Sequence, residues 1–279
     1  MLNFTKMHGI GNDYIYINCF EERIDNPNEL SRFVSDVHFG IGADGLVLIC
    51  PSDIADFKMR IFNADGSEAK MCGNATRCVG KYVFEKGLTD KKTVTLETLS
   101  GIKTLTLDTK DGIVEYVTVD MGKAVIKPSD IPILSEDSDF IDRPLVIDGK
   151  TYRITGVSMG NPHAVTFLDD IGGLDLEKLG PLFENNPIFP DRVNTEFIEI
   201  KSPTELKMRV WERGSGETWA CGTGACAAVV AAVLNGHCRQ GEEITVRLRG
   251  GDLKITYNQD GSVTKKGPAA FICDGRLYI

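Results

Sequence analysis

The sequence has no basic excess. Lys plus Arg total 31 against 40 Asp plus Glu, a formal net charge of -9. A surface that binds nucleic acid or anionic membrane through counterion release is therefore not expected. Metal-ligand spacing is missing too. The four histidines, His8, His38, His163 and His237, are scattered, and none of the eight cysteines stands in a Cys-x-x-Cys pair, so no metal site is read. Long apolar runs are absent. The longest, 225–234, is built from small side chains and falls short of the about 20 residues that a spanning helix needs. The opening 14 residues lack the basic start, apolar middle and small-residue cleavage site of a secretory signal, which points to the cytoplasm. In a long chain without such a signal, eight cysteines read as reduced thiols and not as a disulfide framework. Gly9-Ile10-Gly11 and Gly40-Ile41-Gly42 complete neither G-x-G-x-x-G nor G-x-x-x-x-G-K-[ST], so both read as turns and no nucleotide cofactor is expected.

What is present is an ordinary globular composition, 42% apolar and 25% charged over 279 residues, enough for two domains. It also repeats. Gly11-Asn12-Asp13-Tyr14 aligns with Gly160-Asn161-Pro162-His163, and Met71-Cys72-Gly73-Asn74 aligns with Ala220-Cys221-Gly222-Thr223 at the same spacing. Phe62 with Trp211, Asn63 with Glu212 and Glu68 with Glu217 keep that spacing as well. One offset joining separated segments implies two copies of one unit.

The local patterns agree. In the first half, strands are expected at 14–19, 46–50, 57–62, 93–98, 102–108 and 113–120. A helix is expected at 27–38, opened by Asn26 with Glu29 and closed by Gly40, and another from Gly73 to about Lys86, stopped by Gly87. The second half repeats the order, with strands at 164–168, 196–200, 205–211, 243–248 and 252–257 and helices at 176–185 and 222–234. Successive β segments with few helices between them predict an α/β fold of the α+β type. Two pseudo-symmetric domains are expected, each a mixed, largely antiparallel sheet wrapped around a central helix, with the active site in the cleft between them. Their bounds are 1–120 plus 266–279, carrying Cys72, and 121–265, carrying Cys221.

Cys72 and Cys221 each precede a helix start, where unsatisfied N–H groups and the positive end of the helix dipole converge. That lowers a thiol's pKa, and the same N–H groups can hold a carboxylate. A lone cysteine there would read as core packing; two at repeat-equivalent positions read as function. If the halves face each other, one thiolate can remove a proton from a carbon while the opposite thiol delivers one, which is racemisation or epimerisation. The remaining six cysteines read as structural.

The stretches Met7-His8-Gly9-Ile10-Gly11-Asn12-Asp13, Phe62-Asn63-Ala64-Asp65-Gly66-Ser67-Glu68, Met71-Cys72-Gly73-Asn74, Gly160-Asn161-Pro162-His163, Glu212-Arg213-Gly214-Ser215-Gly216-Glu217-Thr218 and Ala220-Cys221-Gly222-Thr223-Gly224 together resemble the diaminopimelate epimerase family. These are cofactor-independent enzymes of lysine and peptidoglycan-precursor synthesis. The resemblance implies that Cys72 and Cys221 are acid and base, and that Gly73, Asn74, Gly222 and Thr223 present amides to the reacting carboxylate. It implies that Asn12, Asn63, Asn161, Asn194 and Arg213 bind the rest of the diamino diacid, with Arg213 on the distal carboxylate. His163 and Glu212 would help with proton handling and the substrate ammonium. One departure is Gly45, where some members carry Gln.

Blander readings exist. Asn12, Asn63 and Asn194 suit turns or caps, His163 a satisfied core histidine, and Glu212-Arg213 a solvated ion pair. Proline racemases resemble the chain in their two Cys-Gly helix starts but usually place His where this chain has Asn74. Phenazine-synthesis isomerases share the fold without the cysteine pair, and a non-catalytic amino-acid-binding protein is the most distant alternative. A small-molecule substrate is the expected partner. A homodimer is compatible with the sequence, although the internal repeat does not require one.

Overall fold

The computed structural model describes residues 1–278; Ile279, the last residue of the expected N-terminal domain, lies outside them. The chain divides into two compact units, Met1–Asp120 with the stretch that begins at Lys266, and Met121–Lys265.

The first unit runs β1 (Leu2–Gly9), β2 (Asn12–Asn18), α1 (Pro27–Ser35), β3 (Gly45–Cys50), β4 (Phe57–Asn63), β5 (Glu68–Ala69), α2 (Gly73–Glu85), β6 (Thr93–Thr98), β7 (Gly101–Lys110) and β8 (Ile113–Lys123). The second runs β9 (Arg143–Ile147), β10 (Lys150–Ser158), β11 (Pro162–Phe167), α3 (Leu176–Glu184), β12 (Asn194–Ser202), β13 (Glu205–Glu212), β14 (Gly216–Glu217), α4 (Gly222–Leu234), β15 (Glu243–Leu248), β16 (Gly251–Tyr257) and β17 (Ser262–Gly267). The chain leaves the first unit within β8 and returns to it within β17, and β18 (Ala270–Leu277) then pairs antiparallel with β1. The fold is α+β with mostly antiparallel pairing, as the run of strands predicts.

The repeat holds pairing by pairing. β1 with β2, β3 with β4, β4 with β5 and β6 with β7 are antiparallel, and so are β10 with β11, β12 with β13, β13 with β14 and β15 with β16. The parallel pairs are β2 with β3, β4 with β6, β11 with β12 and β13 with β15. Each of these is joined through one of the four helices, as a parallel connection requires. Even the register repeats, Phe62 opposite Glu68 and Trp211 opposite Glu217.

Alternation along the strands sends apolar side chains to both faces. On one face of the first unit, Ile15 and Ile17 of β2 pack with Leu46 and Leu48 of β3 and Leu30 and Val34 of α1. In the second unit, Phe183 of α3 packs with Phe197 and Trp211 in the matching layer. The other face receives α2, which touches β1, β2 and β7, and α4, which touches β10, β11, β12, β15 and β16. The small side chains of α4 explain its position. Ala225 to Ala232 are all buried, and a helix apolar all round belongs inside a core.

Several local outcomes differ from the sequence pattern. Asn26 occupies the N-cap of α1 without a side-chain capping bond. That helix stops at Ser35, because the Asp36 carboxylate takes the N–H groups of His38 and Phe39 at 2.7 and 2.8 Å and turns the chain away. Strands β1, β5, β9, β10, β14, β17 and β18 fall outside the ranges that the sequence pattern predicts. Ile10 and Gly11 do form a turn: both have positive φ, 52° and 88°, and they join β1 to β2 as a two-residue loop, the primed-turn geometry that matches strand twist. Gly45 has no room for a side chain, since a Cβ there would overlap the carbonyl oxygen of Phe62 on the paired strand.

Candidate active site

Both cysteines stand where the repeat puts them, at the N-caps of α2 and α4, in extended backbone with φ of -132° and -113°. Neither helix has an acidic residue in its first turn, so the unpaired amides keep their attraction for an anion. The two sulfurs have different surroundings.

In the first unit the half-buried Cys72 Sγ donates to Asn12 Oδ1 at 3.4 Å. The Asn12 amide is oriented in turn by Asp44, whose Oδ2 accepts from Asn12 Nδ2 at 2.6 Å. Tyr14, on the same strand as Asn12, neighbours both Asn12 and Cys72. Burial pushes the Tyr14 hydroxyl well above its usual range, and Cys72 and Asp44 push the same way. Burial likewise raises Asp44. Asn74 is buried with Oδ1 accepting from Arg77 Nη1 at 3.0 Å, so its backbone, not its side chain, is the part offered at the helix start. Asn63 sits at the end of β4 and donates to Ser67 Oγ at 3.0 Å.

In the second unit a connected set surrounds Cys221. His163 is fully buried, with Nδ1 2.7 Å from Glu196 Oε1 and Nε2 3.0 Å from Asn161 Oδ1. Asn161 Nδ2 donates to Thr223 Oγ1 at 3.3 Å, and Thr223 Oγ1 lies 3.6 Å from Cys221 Sγ. Glu212 accepts a short hydrogen bond from Thr218 and lies beside Cys221. The sulfur itself accepts from Gly224 N at 3.3 Å.

A helix start alone would lower a thiol's pKa, and here the Gly224 amide and Thr223 do act that way. They are outweighed. Burial comes first, and the charges of Glu212 and Glu196 add to it, so Cys221 is pushed well above the usual thiol range and rests as a thiol. Burial raises Glu212 as well.

Arg213 donates from Nη1 to the Asp191 carbonyl at 2.7 Å. Asn194 is buried and spends both ends of its amide on backbone, donating to Pro162 O at 2.9 Å and accepting from Arg213 N at 3.0 Å. It therefore fixes where Arg213 starts. Within the first unit Cys72, Asn12, Asn74 and Gly73 cluster about α2; within the second, Cys221, Thr223, His163, Asn161 and Glu212 cluster about α4. The sequence reading did not single out Glu196, Tyr14, Asp44 or Thr218. Tyr14 was accessible through the offset, as the partner of His163. Glu196 carried a weaker signal, an acidic residue beside the apolar pair Phe197-Ile198, and its repeat equivalent is Val47. Among the described residues no cluster of three or more His, Cys, Asp or Glu is arranged to hold a metal ion.

A sequence model of the diaminopimelate epimerase family matches residues 4–127 and 155–272. The chain is 56% identical over 279 residues to a protein of Acetivibrio thermocellus named diaminopimelate epimerase, covering 100% of this chain and 99% of that one. It is 54% identical to one of the same name from Methanococcus maripaludis, covering 100% of each. Among solved structures, a probable proline racemase from Agrobacterium radiobacter with bound carbonate superposes with a TM-score of 0.75 at 17% identity, over 100% of this chain and 93% of that one. A PhzF-family phenazine biosynthesis protein from Bacillus anthracis superposes with a TM-score of 0.70 at 16% identity, over 100% and 99%. At those identities the two structures speak for the fold.

Proposed function

Since this chain belongs to the diaminopimelate epimerase family, we propose that it interconverts LL- and meso-2,6-diaminopimelate, with Cys72 and Cys221 serving opposite faces of one α-carbon. The observation that carries the reading is a thiol at the N-cap of each of two repeat-related helices. Each domain, 1–120 with 266–279 and 121–265, contributes one thiol.

The chemistry follows from the two surroundings. The reacting carboxylate is held by the backbone amides of Gly73, Asn74, Gly222 and Thr223, and these fixed dipoles stabilise the charge that develops as the α-proton leaves. The Gly224 amide is excluded from this set because it is spent on Cys221. With its raised pKa, Cys221 is poised to donate its proton when Cys72 is the base. In the reverse direction Cys221 must become a thiolate, and two carboxylates oppose that. An α-ammonium bound beside Glu212 cancels much of their charge, so the substrate itself lowers the barrier to ionising Cys221. His163 and Asn161 hold Thr223 against the sulfur.

Arg213 takes the distal carboxylate, for which its planar fork is suited. Asn12, Asn63, Asn161 and Asn194 complete the contacts, Asn194 also by anchoring Arg213. No cofactor is assigned a step. The same reading places the enzyme in the cytoplasm with diaminopimelate as its partner. Its charge of -9 argues against nucleic acid, and none of its described helices is long and apolar enough to cross a membrane. A homodimer is compatible with it, because each chain carries both thiols.

The test is turnover of LL-diaminopimelate in D2O with Cys72→Ala and Cys221→Ala. Each variant should lose epimerisation while keeping the far-ultraviolet circular dichroism of the parent. Near-normal turnover by either one would exclude a two-thiol mechanism.

A further inference from the structure

Cys19 and Cys50 take no part in this chemistry, yet they are neighbours. β2 and β3 run parallel with Asn18 opposite Ile49, and the ladder continues one residue further, where Cys19 N donates to Ile49 O at 2.8 Å. Cys19 therefore stands beside Cys50 on the adjacent strand. Neighbouring strands lie about 4.7 to 4.9 Å apart, inside the Cα separation of about 4.4 to 6.8 Å that a disulfide spans. Laterally paired residues of adjacent parallel strands point to the same face of the sheet, so the two side chains share one face. Both residues are half-buried, within reach of a small oxidant.

Their electrostatic setting is asymmetric. The neighbouring Cys19 pulls the Cys50 thiol below its ordinary value, and Arg60 and Lys58 act in the same direction. The same neighbour relation raises Cys19. Lys58 is the residue opposite Cys50 on β4. The pair thus has an attacking thiol and a resolving one.

The repeat supplies a control. The equivalent positions in the second unit are Leu168 and Glu199, and the same backbone bond recurs there, Leu168 N to Ile198 O at 2.8 Å. The fold builds this corner without sulfur, so packing does not demand the thiols.

We infer that Cys19 and Cys50 form a dithiol site, distinct from the two helix-start thiols, that a peroxide oxidises to an intramolecular disulfide joining β2 to β3. The Cys50 thiolate attacks one peroxide oxygen, the O–O bond breaks, and water leaves after protonation, with Cys50 now a sulfenic acid. The Cys19 sulfur then attacks Cys50 sulfur, the S–O bond breaks, and the hydroxyl departs as a second water carrying the Cys19 proton. Two thiols and one hydrogen peroxide become one disulfide and two waters, the two electrons passing from sulfur to oxygen. The bridge ties together the two ends of the α1 crossover.

The test uses the full reduced protein and hydrogen peroxide, at doses raised until the exposed Cys273 begins to oxidise. Remaining thiols are alkylated and the protein is digested with trypsin without reduction. Peptides 7–23 and 33–58 each contain a single cysteine. They should appear as one disulfide-linked species that dithiothreitol separates. In Cys19→Ser, Cys50 should persist as a sulfenic acid that dimedone traps. Recovery of both peptides alkylated at those doses, or either one joined to a different cysteine, would overturn the proposal; the parent map alone decides this if the variant folds poorly. A Cys72-containing link reports on the helix-start thiols and so is distinguishable from a failure of this site.

Discussion

Replacing Gly224 by Ala sets two effects of known sign against each other. In an ordinary helix the change stabilises by about 0.5 to 1 kcal/mol, because alanine gives up less backbone freedom on folding. Gly224 lies in the first turn of α4 with no unusual φ, so that gain should apply. Against it, the new Cβ would stand 2.5 Å from Glu196 Oε1 and 3.1 Å from both Cys221 Sγ and Met208 Cε. Glu196 cannot swing aside cheaply, being fully buried with that same oxygen bonded to His163 at 2.7 Å. Overpacking of this kind costs about 1 to 3 kcal/mol, so a net destabilisation of about 1 to 2 kcal/mol is expected in urea unfolding. Activity should fall further. The intruding methyl displaces the sulfur from the Gly224 amide and loosens the His163 contact, a loss of about 1.5 to 3 kcal/mol, or one to two decades in kcat/KM. The repeat equivalents of Gly224 and Glu196 are Ala75 and Val47, so Gly224→Ala combined with Glu196→Val recreates the first unit's pair. That double variant should show a favourable coupling in stability of about 0.5 kcal/mol or more, without recovering turnover. A Gly224→Ala protein with a higher urea midpoint and undiminished kcat/KM would refute the crowding argument.

Arg213→Lys keeps the charge but loses the planar fork and should lower kcat/KM for diaminopimelate by about 1.5 to 3 kcal/mol, one to two decades. The parent should turn over proline poorly, and brisk proline racemisation insensitive to Arg213→Lys would favour a proline racemase. Burial pushes the Cys78 thiol up to about 11, well above its ordinary value, so the folded state holds a proton that the unfolded state releases. The stability this confers is complete below about pH 9 and is lost as pH rises towards 11, about 2 to 3 kcal/mol at most. Urea midpoints of Cys78→Ala should therefore show a shallower decline than the parent between those limits; an identical slope would contradict it. Turnover should survive exhaustive dialysis against a chelator with no pyridoxal absorbance, and a loss restored by added metal would overturn the two-thiol account.

Elements with their own local signal were legible in the sequence. The Cys-Gly starts of α2 and α4 stand where the repeat and helix-start chemistry put them, because glycines and small side chains mark those turns directly. β18 gave no such signal, since its inner and outer positions are mixed along Ala270–Leu277 and a register shift between Lys6 and Met7 interrupts its pairing with β1. The environment of Cys221 was less legible still. Whether a helix start acidifies a thiol depends on what lies opposite, and Glu196 arrives there from a strand far away in sequence. Tyr14 was within reach of the offset, but tyrosine and histidine share too little chemistry for the match to announce a shared position beside a thiol.

The pairing of β1 with β18 has a consequence for how the protein is made. Leu2 meets Leu277 and His8 meets Ala270, so β1 waits for its partner until the whole of the second unit has been synthesised. The unit spanning Met121–Lys265 is contiguous and can close its own contacts during synthesis. The unit carrying Cys72 must hold β1 without that neighbour until the second unit has been made, and the large loop it closes belongs to the slow class of non-local contacts. Maturation of the two thiols is thus ordered in time, Cys221 entering a finished domain before Cys72 does, although Cys72 is translated first.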